Sequence, residues 1–136
     1  MAYINKAKSV EWETPQDFFD KCNAEFNFTL DVASTDENAK CEKHFTKNDN
    51  GLKCSWGGQR VWCNPPYSNL AEWIAKADAE KDNAELIVML IPARTDTKAF
   101  HEYIYHKAEI RFIKGRLKFG GMKTSAPFPS MLVIWR

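Results

Sequence analysis

The longest apolar run in the chain is Leu86-Ile87-Val88-Met89-Leu90-Ile91, closed by Pro92. A strand with one wet face alternates apolar and polar residues. A run with no polar position instead fits a strand covered on both faces, which requires helices above and below the sheet. The surrounding segments supply them. Trp12-Glu13-Thr14-Pro15-Gln16-Asp17 reads as a helix start, with Thr14 as cap, Pro15 in the first helical position and Asp17 at the positive end of the dipole. Phe18, Phe19, Cys22 and Phe26 give that helix one apolar face and carry it to about Glu25. Asn69 and Glu72 form an expected capping box for a second helix, with Leu70, Trp73, Ile74 and Ala77 as its stripe, to about Lys81. Thr95 or Asp96 opens a third, with Ala99, Phe100, Tyr103 and Ile104 inward.

Between the helices lie strand patterns at 26–33 and 61–64, and later ones at 109–119 (broken at Lys114-Gly115) and 130–135. Residues 34–50 are polar and loop-like, with one short helix expected near 37–42 and a turn at Asn48-Asp49-Asn50-Gly51. Strand–helix alternation implies an α/β fold: a mostly parallel sheet, helices on both faces, and an antiparallel strand pair at the C-terminal end. With 136 residues the chain makes one domain, expected over 12–136 after an N-terminal tail at 1–11.

Composition narrows the function classes. Hydrophobic residues are 44% and charged residues 27%, without an apolar run of membrane-spanning length, so a soluble cytoplasmic protein with no membrane partner is expected. Cys22, Cys41, Cys54 and Cys63 contain no CxxC pair, which fits reduced thiols. Cys41-x-x-His44 invites a zinc reading, but no second close pair follows, and no metal is expected. The net charge of +1 does not announce a nucleic-acid partner. The basic residues between Lys107 and Lys123 fit a solvated face better than a phosphate track.

The chemistry concentrates at Val61-Trp62-Cys63-Asn64-Pro65-Pro66-Tyr67-Ser68. Two prolines in succession end the strand and fix its last φ angles. They leave the Asn64 amide and the Tyr67 ring at a strand's C-terminal edge, where open α/β sheets bind ligands. An exocyclic amino group on a base is a poor nucleophile because its lone pair is delocalised into the ring. Two acceptors, the Asn64 side-chain oxygen and the Pro65 carbonyl, would draw that nitrogen towards tetrahedral geometry, and Tyr67 would stack on the ring. An electrophilic methyl held in line completes the reaction.

With these residues in view, the sequence resembles the small phage-type DNA adenine methyltransferases. The likeness runs from Trp12 to Trp135. It rests on Trp12-Glu-Thr-Pro15, Leu30-Asp-Val-Ala-Ser34, Asp49-Asn-Gly-Leu52, Asn64-Pro-Pro-Tyr67, Pro92-Ala-Arg-Thr-Asp-Thr97, Gly115-Arg116 and Ala126-Pro-Phe-Pro-Ser130, in that order. The resemblance implies a Rossmann-like class I methyltransferase sandwich and S-adenosyl-L-methionine as cofactor. It implies that Asn64, Pro65, Pro66 and Tyr67 form the catalytic turn, and that Asp31, Asp49, Thr14 and Pro15 hold the cofactor. DNA contacts would come from Arg94, Arg116, Phe128 and Ser130 or from a second subunit, in a monomer or homodimer without a separate target-recognition domain. The chain departs from many relatives in lacking a glycine in the turn after the first strand, Asp31-Val-Ala-Ser-Thr35. RNA or protein amide nitrogen as substrate, and an inactive DNA-binding relative, are the alternatives.

Overall fold

A computed structural model describes residues 2–4, 10–120, 122 and 124–136. Its main sheet has five strands: β3 (Leu30–Asp31), β4 (Arg60–Cys63), β5 (Leu86–Pro92), β6 (Glu109–Phe112) and β7 (Ser130–Trp135), in spatial order β3-β4-β5-β7-β6. A separate antiparallel pair joins β1 (Ala2–Ile4) to β2 (Val10–Trp12), and β1 lies alongside the turn at Tyr67–Asn69. Residues 1 and 5–9 of the expected N-terminal tail lie outside the described residues.

All seven residues of β5 are buried, as its unbroken apolar run requires. Period two splits them between the faces. Ile87, Met89 and Ile91 pack with Val61, Cys63, Val133 and Trp135 under helix α2 (Leu70–Glu80) and the Phe100–Ile104 π-helix. Leu86, Val88 and Leu90 pack with Trp62, Leu132 and Ile134 under helix α1 (Gln16–Phe26) and an aromatic group of Trp12, Phe119 and Phe128. The α/β class is therefore as expected, with a helical layer on each face.

The sheet is mixed: four of its five strands run in one sense, with the expected antiparallel pair at the C-terminal end. β3, β4 and β5 are parallel, but β7 runs antiparallel to both β5 and β6, so the ladders divide two and two. The reason is the return connection. β6 runs in the same sense as β5, and the chain between 113 and 129 turns back at that edge, so β7 must descend between them. The 109–119 segment accordingly forms one strand of four residues, and Gly115 takes a positive φ of 74° in the loop beyond.

All three helix starts differ from the sequence patterns, the third because Thr97, rather than Thr95 or Asp96, accepts from the Phe100 amide at 3.1 Å. α1 begins after Pro15 with no side-chain cap, because the Thr14 hydroxyl is used elsewhere. Asn69 makes no cap bond; its amide donates instead to the Glu72 carboxylate at 3.4 Å. The helix expected near 37–42 is replaced by turns and bends, and it is the chain just beyond, at 43–45, that runs along the free edge of β3: the Asp31 amide donates to the Lys43 carbonyl (3.1 Å) and the Phe45 amide to the Asp31 carbonyl (2.8 Å). No helix among the described residues is long and apolar enough to cross a membrane.

Truncating Leu90, fully buried at the centre of the sheet, removes packing that the neighbours cannot refill. Leu90→Ala is expected to lower unfolding stability by about 2–5 kcal/mol, read by urea titration at constant m-value.

Candidate active site

The C-terminal ends of the three parallel strands meet at one edge, and β4 delivers Asn64 there. Asn64 is 2% exposed. Its Nδ2 donates to the Trp12 carbonyl at 2.7 Å and to the Thr14 hydroxyl at 3.0 Å, while its Oδ1 is buried with no partner. A buried acceptor without a donor costs about 1–3 kcal/mol, so the edge holds a stored demand for an N–H group. Pro65 and Pro66 follow, Pro66 in extended conformation, and Tyr67 starts a single 3₁₀ turn, Tyr67–Asn69. The Tyr67 ring rests edge-on against Phe128 at 5.6 Å; its hydroxyl is buried and unpartnered. Burial pushes the Tyr67 phenol far above its ordinary pKa, with Arg94 opposing, so the ring stays neutral at any working pH.

Two clefts flank this turn. One of about 380 Å³ is lined by Val32, Ala33 and Ser34 beyond β3, by Asn50 and Gly51, and by Trp73 of α2. The other, of about 450 Å³, lies between Tyr67, Arg94, Thr97, Phe100 and Met131. Pro66 walls the first and Tyr67 the second, and Asn69 and Glu72 border both. Both volumes fall in the range of small-molecule sites.

Asp31 ends β3 and is 3% exposed. Its carboxylate accepts from the backbone N–H of Ala33 (3.2 Å) and of Lys40 (3.0 Å). Burial raises its pKa, against the lowering effect of those two donors. A buried carboxylate held this way favours a cation or further donors beside it. Asp31, Thr14 and Asn64 border one narrow gap, together with Asn38, whose Nδ2 is also buried and unpartnered.

A family model described as DNA N-6-adenine-methyltransferase (Dam) matches residues 2–136. The chain belongs to this family. It is 30% identical over 146 residues to the DNA N-6-adenine-methyltransferase of Haemophilus phage HP1, covering 99% of this chain and 84% of that one. It is 35% identical over 108 residues to the DNA N-6-adenine-methyltransferase of Escherichia phage T1, covering 78% of this chain but only 45% of the relative. The chain thus spans about half the length of the phage T1 protein.

Among the residues that resemblance to DNA adenine methyltransferases singled out, the structure gathers Thr14, Asp31, Asn64 and the 65–67 turn at one strand edge, next to Pro15, which precedes α1. It leaves Asp49 outside both clefts, since its carboxylate accepts from the amide (2.8 Å) and hydroxyl (3.2 Å) of Thr46. Asn50 borders the 380 Å³ cleft in its place. Arg94 is exposed beside the second cleft, and Arg116 is exposed on the loop after β6. Phe128 is buried against Trp12 and Phe119 and reaches the site only through Tyr67. Ser130 is buried at the start of β7 with an unpartnered hydroxyl.

The turn after β3 has no glycine, but Gly51 of another loop packs closely against it. A Cβ on Gly51 would collide with the Val32 carbonyl and press on the Trp73 ring. The Asn-Gly pair looked like ordinary turn chemistry, and nothing local in the sequence marks its approach to β3. Glu72, Trp73 and Asn38 were equally hidden, because a helix stripe and a polar loop have many other uses.

The basic stretch divides. Arg111 is paired with Glu25 through two bonds (2.7 and 2.8 Å) and with Glu109 (2.8 Å), whereas Lys114, Arg116 and Lys118 are exposed and form no ion pair among the described residues. Both ring nitrogens of His44 face acceptors, Asp36 and the Glu42 carbonyl, each at 2.8 Å. The Asp36 bond, followed by the Glu42 carbonyl, raises its pKa.

Gly51→Ala is expected to destabilise the fold by about 1–3 kcal/mol through overpacking, and to weaken ligand binding in the adjoining cleft, checked by melting and calorimetry. Burial pushes Cys22 up to about 11 and Cys41 up to about 12, and raises Cys63 as well. These three thiols stay protonated near pH 8 and should resist Ellman's reagent until the protein is denatured.

Proposed function

We propose that this chain transfers a methyl group from S-adenosyl-L-methionine to the exocyclic N6 amino group of adenine in DNA, on a Rossmann-like class I methyltransferase fold. The observation that carries the reading is the Asn64 amide, bonded through its nitrogen and presenting a buried, unpartnered oxygen. That oxygen wants an N–H donor, and an adenine amino group has two.

The residues present fit the cofactor. The cleft beyond β3 has the volume of a small-molecule site, Gly51 keeps it open, and Asp31 supplies a buried carboxylate suited to a charged partner. Asp31, Thr14 and Pro15 would hold the methionine end, and Val32, Ala33, Ser34 and Asn50 the remainder. Thr14 keeps a free O–H donor after accepting from Asn64. S-adenosylmethionine, when bound, supplies an electrophilic methyl on a sulfonium.

On the base side, Asn64 Oδ1 and the Pro65 carbonyl would accept the two amino N–H bonds, which localises the nitrogen lone pair. Tyr67, neutral and backed by Phe128, offers a face for an extruded base. No general base is needed before transfer, because the nitrogen becomes acidic only once it is alkylated. Arg94 and Arg116, exposed and unpaired with acids among the described residues, would meet DNA phosphates. A soluble cytoplasmic monomer or homodimer completes the reading.

With tritiated S-adenosylmethionine and unmethylated DNA, label should enter adenine N6, and Asn64→Ala should abolish it while still binding S-adenosylhomocysteine. Label in RNA or protein amides alone, or none anywhere, overturns the assignment. Tyr67→Ala should weaken productive DNA binding by about 1–3 kcal/mol, the value of one stacked base, while Tyr67→Phe keeps most activity.

A further inference from the structure

Two groups outside the Asn64–Tyr67 turn decide what that turn can do. An asparagine amide can sit either way round, and only one way presents oxygen to a substrate. The Trp12 carbonyl can accept but not donate, so the amide end 2.7 Å away must be nitrogen. The Thr14 hydroxyl takes the second N–H at 3.0 Å, and both N–H bonds are then used. The reversed amide would set two carbonyl oxygens against each other in a site closed to water. We infer that Thr14 and the Trp12 main chain are positioning groups that select the reactive orientation of Asn64.

The Trp12 main chain is itself held. Its indole is 2% exposed and packs edge-on against Phe119 (5.4 Å) and Phe128 (5.3 Å). The next residue, Glu13, accepts from the Gly120 amide at 2.9 Å. Phe128 in turn meets Tyr67, so one aromatic group steadies both the acceptor and the stacking ring. Trp12 and Thr14 lie 52 and 50 residues from Asn64 in sequence, a link no local pattern displays.

The inference rests on the proposed methyl transfer for its consequence, though not for the lock itself. Thr14→Val keeps the shape and removes the acceptor; Thr14→Ser keeps the acceptor. Thr14→Val should cut the single-turnover methylation rate by about 10–100-fold, as small misplacements of reacting groups do. The loss should persist at saturating S-adenosylmethionine, beyond any change in cofactor affinity, while the melting temperature barely moves and Thr14→Ser restores the rate. An unchanged rate in Thr14→Val overturns the inference, as does a loss that saturating S-adenosylmethionine abolishes, which would make Thr14 a cofactor contact and nothing more. Exchange of the Asn64 side-chain amide protons in the wild-type protein, followed by NMR, tests the lock without any variant. Slow exchange supports it, and exchange as fast as an exposed asparagine's overturns it. If the wild type methylates no DNA, the functional reading fails while this exchange rate still decides the lock.

Discussion

Strand β5 is buried along its whole length on both faces, and flanked by β4 and β7 on its edges. That double coverage dictates where the other elements go. It needs a helical layer above and another below, which α2 with the π-helix and α1 with the Trp12–Phe119–Phe128 group provide. Those layers can be connected only by crossing the strand ends. The crossings at the ends of β3, β4 and β5 are what form the two clefts, so the site follows from the core.

The site spends stability for function. Asn64 Oδ1, Asn38 Nδ2, the Tyr67 hydroxyl and the Ser130 hydroxyl are all buried and unpartnered, and Asp31 is a desolvated carboxylate. Each opposes folding unless a ligand satisfies it. Their concentration around one strand edge, within a protein whose hydrophobic layers are otherwise well filled, marks that edge as built for polar guests. Ligands binding there should stabilise the folded chain by mass action.

Much of this could be read from residues whose meaning is local. The seven-residue β5, the six residues of β7 and the apolar stripes of both α-helices lie where period and run length put them. The Pro65-Pro66 stop lies at a strand end because no ladder can pass through it. Roles set by distant partners were not legible. Thr14 has the chemistry of a cap, but its hydroxyl is taken by Asn64, 50 residues away. The 37–42 segment has helical residues but forms turns and bends, with its Lys40 amide drawn to the Asp31 carboxylate and the next residues, 43–45, paired with the edge of β3. β3 itself shrinks to two residues, since Asn27 ends α1 in the left-handed region and only Leu30 and Asp31 reach the ladder. The place where β7 inserts, between β5 and β6, is likewise one that no strand pattern encodes.

That insertion bears on how the protein is made. β7 follows both its neighbours in sequence yet lies between them, in register with six residues of β5 and four of β6. A nascent chain emerging from the ribosome therefore holds β5 with one bare edge, and β6 with no native partner, until residues 130–135 appear. The sheet cannot close progressively as the chain grows; its centre is finished last. From the emergence of β5 until then, such a chain is exposed to strand-edge pairing with other molecules.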